Sequence, residues 1–385
     1  MQLPPARRRL VPASALRILA LVAACSLLAG AHPARAIQPG FQETTVFAQL
    51  TFPTAVRFAS DGRVFIAEKS GIIKVFQSVT DPNPPTIFSD LRTNTHNFWD
   101  RGLLGLVLHP DFPNTPYVYV LYTLDAAIGG TPPRWGAFNG TSDSCPNPPG
   151  DTLDGCVVAG RVSRLTVSGN TMSGSELVMV ENWCQQYPSH SIGTITFGND
   201  GALYVSGGDG ASFTFVDYGQ AGFPQTNPCG DPPGGVGGPM SPPTSEGGAL
   251  RSQDILTSGD PVTYDGTVLR LDPVTGGPMP DNPLVGGATA ADDPIIAYGL
   301  RNPFRMAPRP GTNEMWLGDV GWNDWEEINR IGHTSDMPIE NFGWPCYEGI
   351  GPQPAYQGNS ILCQAVTSTP GTATDPFFTY SHGEH

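Results

Sequence analysis

Lysine is almost missing from this 385-residue chain: Lys69 and Lys74 are the only two, and charged residues of both signs make up just 14%. With 20 basic against 35 acidic residues the formal charge is −15, which excludes the broad cationic surface a phosphate backbone requires and argues against a nucleic-acid partner. No Cys-x-x-Cys or His-x-x-x-His spacing occurs, so structural zinc has no recognisable ligand pattern. Beyond residue 36 no apolar run approaches the roughly 18 residues that span a bilayer, so no membrane span is expected. Long helical periodicity is also absent. The best short candidate, Trp325–Ile331, reads equally as a strand.

What is present begins with a leader. Residues 1–36 carry Arg7, Arg8, Arg9, Arg17 and Arg35, no acid, an apolar stretch from Ala15 to Leu28, and Ala34-Arg35-Ala36. This reads as a secretory signal peptide cleaved after Ala36, giving a secreted or periplasmic protein. Val22–Cys25 resembles a lipoprotein box and Arg7–Arg9 could feed a twin-arginine route. Plain cleavage is preferred because the apolar stretch continues past Cys25 to a small-x-small site. Loss of the five arginines takes the formal charge from −15 to −20. The carboxylate excess suits calcium, and solubility explains it equally well. Cys145, Cys156, Cys184, Cys229, Cys346 and Cys363 then remain, an even set for an oxidising compartment. Proximity and loop context favour the pairs 145–156, 184–229 and 346–363.

The chain's 47 glycines and 40 prolines fit frequent tight turns between short strands. A repeat is visible. Asp61-Gly62-Arg63-Val64-Phe65-Ile66-Ala67 aligns with Asp200-Gly201-Ala202-Leu203-Tyr204-Val205-Ser206, and looser copies run Asn114–Val120 and Asn313–Asp319. Each follows an alternating strand: 55–58, 104–108, 192–197 and 304–307. A further strand covers 266–272. Irregularly spaced strand pairs with long insertions predict an all-β chain of propeller blades. A β-sandwich is the structural alternative, but at about 100 residues per sandwich this length needs two or three, and no linker divides it. The Pro/Gly-rich tract 223–248 contains Cys229 and reads as a rim loop.

His190 stands just before the alternating strand 192–197, and Asp209 follows nineteen positions later, just after 203–205. The two strands form a hairpin about an Asp-Gly turn, so their ends remote from the turn lie together. Imidazole and carboxylate therefore share one rim, where the acid would orient a general base. His109 reads as a turn cap, His96 as packing in a loop that could face substrate, and Trp322, Trp325 and Trp344 as wedge-filling core. Asp319 is balanced between capping a turn and ligating calcium.

Five ordered segments carry a resemblance: 102–112, 190–210, Tyr298–Pro303, Gly321 through Glu326–Asn329, and Asn341–Pro345. Together they are similar to the soluble quinoprotein sugar dehydrogenases, the glucose/sorbosone dehydrogenase family of six-bladed β-propellers that use pyrroloquinoline quinone (PQQ) and calcium. The resemblance implies a six-bladed-type propeller of four-stranded antiparallel blades over residues 37–385, its last blade missing or incomplete. It implies that His190 is the base removing the anomeric hydroxyl proton and that Asp209 holds it. Arg301 and Asn302 match the pair contacting the quinone, although a salt bridge followed by an Asn-Pro turn is the bland alternative. Gly321 and Trp322 match main-chain carbonyl ligands of calcium.

Three departures qualify the match. Asp100 stands where glucose-oxidising members place a glutamine, at a position counted here with the cofactor contacts. Ser189 replaces an acid beside the base. The sequence stops at 376–385, where the family begins its last blade, so the distal lysine and arginines that grip the quinone lie beyond it: either the chain is a fragment or the cofactor clamp is lost, and the fragment is preferred because a propeller without its closing blade exposes two sheet edges. The expected activity is oxidation of an aldose-type sugar to a lactone, with electrons passed to an unidentified acceptor. A calcium-dependent propeller hydrolase of the lactonase kind, which needs converging acidic ligands, and a non-catalytic propeller binding glycan or protein are the alternatives.

Overall fold

The computed structural model describes residues 40–231, 241–257, 262–287 and 289–383. The expected leader and part of the tract 223–248 lie outside them. The chain divides into a unit ending at Ala48 and a second unit from Gln49 onward. The described residues of the first, 40–48, hold no strand or helix.

The second unit is built from antiparallel sheets whose strands follow one another in sequence. The first sheet is β1 (Pro53–Phe58), β2 (Val64–Glu68), β3 (Ile72–Phe76) and β4 (Thr86–Asp90). The second is β5 (Leu103–Leu108), β6 (Tyr117–Leu124), β7 (Val158–Ser168) and β8 (Thr171–Gln185). The third runs β9 (Ile192–Phe197), β10 (Leu203–Gly207), β11 (Thr267–Leu271) and β12 (Ile295–Tyr298), with the short β16 (Glu340–Asn341) added in parallel. The fourth is β13 (Pro303–Pro308), β14 (Met315–Asp319), β15 (Trp325–Ile331) and β19 (Phe378–Ser381); β17 (Tyr347–Glu348) and β18 (Gly351–Pro352) form a separate hairpin. The expected strand pairs are thus β1–β2, β5–β6, β9–β10 and β13–β14, and Trp325–Ile331 is a strand.

The first strands pack in succession, β1 on β5, β5 on β9 and β9 on β13, so each sheet turns its first strand to a common axis. This is the β-propeller arrangement, and it sets aside the sandwich. Four blades are seen among the described residues. Strand periodicity explains how they stack. On β6, Val118, Val120 and Tyr122 enter the core shared with the first blade, while Tyr119 and Leu121 enter the core shared with the third. On β10, Leu203 and Val205 face the second blade and Tyr204 faces the fourth. Strands buried on both faces read as unbroken apolar runs, and Tyr-Val-Tyr-Val-Leu is one.

Three features differ from expectation. Trp322 and Trp344 do not fill wedges between blades: they join a loop cluster with Tyr218, Leu250 and Tyr356, while Trp325 is 38% exposed. Two short α-helices also appear among the described residues, α1 (Pro354–Gln357) and α2 (Ile361–Ser368). They are too short to leave a periodic trace. Ser360 caps α2 by accepting from the Cys363 N–H. Disulfides 184–229 and 346–363 form as expected. Cys145 and Cys156 do not bond covalently, and the Arg101 guanidinium lies 3.7 Å from the Cys156 sulfur. Among the described residues no helix is long and apolar enough to cross a membrane.

Candidate functional site

The β9–β10 hairpin builds the centre of the site. Its turn places Gly201 at φ 79°, in the left-handed region glycine adopts freely, and the register pairs Gly207 with Ile192 at the far end. His190 and Asp209 therefore leave adjacent strand ends. Main-chain bonds then stitch in a third segment: Gly210 N–H donates to the His190 carbonyl and Asp209 N–H to the Arg301 carbonyl, each at 2.9 Å. Asp319, at the end of β14, accepts from the N–H groups of Arg301 (3.0 Å) and Asn302 (2.6 Å). Its role in the fold is thus to cap that turn.

Within this frame His190 Nδ1 lies 3.3 Å from Asp209 Oδ1. Both side chains are buried, and His190 sits at φ 50°, a backbone strain of the kind that collects at functional sites. The remaining carboxylate contacts are the Ala211 N–H on Oδ1 (3.0 Å) and the Trp344 indole N–H on Oδ2 (2.7 Å). Burial, and after it the Arg301 charge, lowers the His190 pKa against the opposing pull of Asp209. Burial alone would raise the Asp209 pKa, but its hydrogen bond to His190 and the His190 and Arg301 charges outweigh it, and the carboxyl stays below its ordinary value. The pair is a neutral imidazole beside a carboxylate at neutral pH.

Beside this pair, on the axis, a pocket of about 340 Å³ takes Thr54 from β1, Leu104 from β5, Ile192 from β9 and Phe304 and Arg305 from β13. Asp100, Asn302 and Lys69 also line it. Of the expected site residues, Asp100 and Asn302 reach the pocket wall. Asp100 Oδ2 accepts from the Ser189 hydroxyl at 2.5 Å, which ties the 95–101 loop to the segment carrying His190. That loop does face the pocket, through Trp99 and Asp100, while its His96 is fully buried. Lys69 and Arg305 escaped the sequence reading because nothing local marks an inward-facing side chain at the axis.

Arg301 is buried and donates through Nη1 to the carbonyls of Val320 (2.9 Å) and Gly321 (2.5 Å). Gly321, one of the two expected calcium ligands, therefore lies against Arg301, and its carbonyl is already engaged. Calcium takes six to eight oxygens. Among the described residues no three His, Cys, Asp or Glu side chains form a metal-binding group. Two carbonyls, one bonded to a guanidinium, do not make a calcium cage by themselves. A planar polyanion fits better: Lys69 and Arg305 line the pocket without an ion pair among the described residues, Arg301 stands beside it, and Asp100 is the single acid in its wall.

Residues 50–221 and 247–383 match the family model described as Glucose / Sorbosone dehydrogenase. The chain belongs to that family. Quinoprotein glucose dehydrogenase B of Acinetobacter calcoaceticus is 23% identical over 325 residues, covering 84% of this chain and 56% of that protein. This family member thus spans little more than half the length of that relative, and 60% of a matching Synechocystis protein. Among solved folds, the PQQ-bound aldose sugar dehydrogenase of Streptomyces coelicolor superimposes with a TM-score of 0.55 at 19% identity, over 88% of this chain and 70% of the other. The soluble aldose sugar dehydrogenase of Escherichia coli gives 0.51 at 19% identity, over 86% and 72%. These likenesses establish the fold shared by family members.

Proposed function

We propose that this chain, as residues 37–385 behind a signal peptide at 1–36, belongs to an exported sugar oxidoreductase that converts an aldose-type sugar at its anomeric carbon to the lactone, using PQQ and calcium. The observation that carries the reading is the buried His190–Asp209 contact beside an axial pocket lined by Ser191 and Asn302, the chain neighbours of His190 and Arg301. The quinone and aldose dehydrogenases named among the relatives support the same chemistry.

In this reading His190 accepts the proton of the anomeric hydroxyl. Its lowered pKa keeps the ring neutral, and therefore able to accept, at the pH where exported enzymes work. Asp209 holds Nδ1–H and leaves Nε2 as the accepting atom, and its negative charge stabilises the imidazolium that forms. PQQ, when bound, would supply the two-electron acceptor for the hydride leaving the same carbon. Arg301, Lys69 and Arg305 would hold its carboxylates, Asn302 and Asp100 would contact cofactor or sugar, and the Gly321 and Trp322 carbonyls would share calcium with the bound cofactor. Electrons then pass to an external acceptor. The hydrolase alternative needs converging acidic ligands, and no observation among the described residues favours it.

The test is reconstitution of the full chain with calcium and PQQ, followed by dye reduction with a panel of aldoses. Quinone-dependent reduction, lost in His190→Ala, is expected. Lactone hydrolysis without quinone, or no spectral change of the quinone on mixing, overturns the proposal.

A further inference from the structure

Trp344 lies in Asn341-Phe342-Gly343-Trp344-Pro345, in a loop between β16 and β17, more than a hundred residues from Asp209. Its main chain is held from two sides: Trp344 N–H donates to the Gly299 carbonyl at 2.9 Å, and the Gln253 amide donates to the Trp344 carbonyl at 2.8 Å. The ring is held as well. Trp322 packs against it edge-on at 6.1 Å between centroids, and Tyr356 at 5.9 Å. An indole so confined has one polar atom, its N–H, and that atom reaches Asp209 Oδ2 at 2.7 Å. The Arg301 guanidinium lies over the same ring, 5.5 Å from its centroid.

A carboxylate that touches a histidine through one oxygen can rotate about its Cβ–Cγ bond, and Arg301 is near enough to attract it. Whatever fixes the second oxygen decides whether the first stays on Nδ1. Ala211 N–H also binds Oδ1 but leaves Oδ2 to the indole alone among the bonds seen. We propose that Trp344 is a positioning residue: its indole N–H locks the Asp209 carboxylate so that His190 holds its proton on Nδ1, and its ring seats the Arg301 guanidinium beside the pocket. One side chain thereby sets the relative placement of the proton acceptor and the cofactor arm. The inference rests on the function proposed above only where it speaks of catalysis; the tautomer it predicts is a property of the protein alone.

The test uses the full chain with ¹⁵N-labelled histidine, the His190 signals being assigned with His190→Ala. In the parent protein neutral His190 is expected as the Nδ1–H tautomer. In Trp344→Phe, which keeps an aromatic ring and removes the N–H, a mixture of tautomers is expected, and dye reduction by the reconstituted protein should fall about tenfold in kcat with little change in sugar KM. A folded Trp344→Phe protein with unchanged His190 tautomer and titration overturns the inference. Should that variant not fold, ¹⁵N-indole spectra of the parent and of Asp209→Asn decide: a downfield, slowly exchanging indole signal that moves in Asp209→Asn supports it, and no such signal overturns it. Lack of dye reduction in the parent protein, with the tautomer result intact, would count against the proposed function and leave the positioning role standing.

Discussion

Asp209 donates its main-chain N–H to the carbonyl of Arg301 at 2.9 Å while its side chain contacts His190. The acid of the candidate proton relay and the candidate cofactor arginine are thus joined by one backbone hydrogen bond, across 92 positions of sequence. Displacing either segment displaces the other.

That coupling shapes the pH response. The His190 pKa is lowered, so the acid limb of activity should fall below the ordinary imidazole value near 6.5. In Asp209→Asn the hydrogen bond and charge that raise the His190 pKa are gone, the limb moves lower still, and the plateau drops by roughly a hundredfold or more. A pH profile of kcat/KM checks both. A depressed folded-state pKa also means that this residue's contribution to stability is present above 6.5 and is lost as pH falls.

Asp319 should matter for stability before it matters for chemistry. Asp319→Ala leaves the N–H groups of Arg301 and Asn302 without their acceptor, at about 1–3 kcal/mol each, so a loss of several kcal/mol is expected in urea unfolding. Asp319→Asn retains an acceptor oxygen and should lose less. Binding of PQQ, followed by its absorption, should weaken in the same order.

At Gly193 on β9 an added Cβ would collide with the Pro303 carbonyl and the Ser206 hydroxyl. The contact is between the axial strands of the third and fourth blades, and one partner is backbone. Gly193→Ala should therefore cost about 1–3 kcal/mol, measured as a lowered Tm. The solvent-facing Gly169→Ala has space, so only the φ of 58° opposes it and a smaller loss is expected.

Asp265 gives stability an alkaline limit. Burial raises its pKa to about 7, despite the nearby Arg251, while the unfolded chain holds the ordinary value near 3.8. A raised folded-state pKa gives stability that is complete below 3.8 and lost as pH rises through about 7. Between about pH 3.8 and 7 the parent Tm should fall relative to that of Asp265→Asn, which lacks the titrating group. An identical slope in both proteins would show that Asp265 is ionised in the fold.

The sequence by itself determined the blades and the meeting of His190 with Asp209. Period-two alternation and Asp-Gly turns are local signals, so β1–β2, β5–β6, β9–β10 and β13–β14 could be read directly, and a single hairpin brought His190 to Asp209 over nineteen residues. Trp344 read as core because a tryptophan's burial is legible while the target of its N–H, 135 positions away, is not. The engagement of Gly321 by Arg301, the pairing of Asp100 with Ser189, and the cations at the axis were equally hidden. Those relations depend on how blades stack around a common axis and how long insertions fold over its rim. Local pattern fixes which residues become strands, but only tertiary packing decides which distant side chains meet, because the contacts that fix them are long-range and leave no period in the chain.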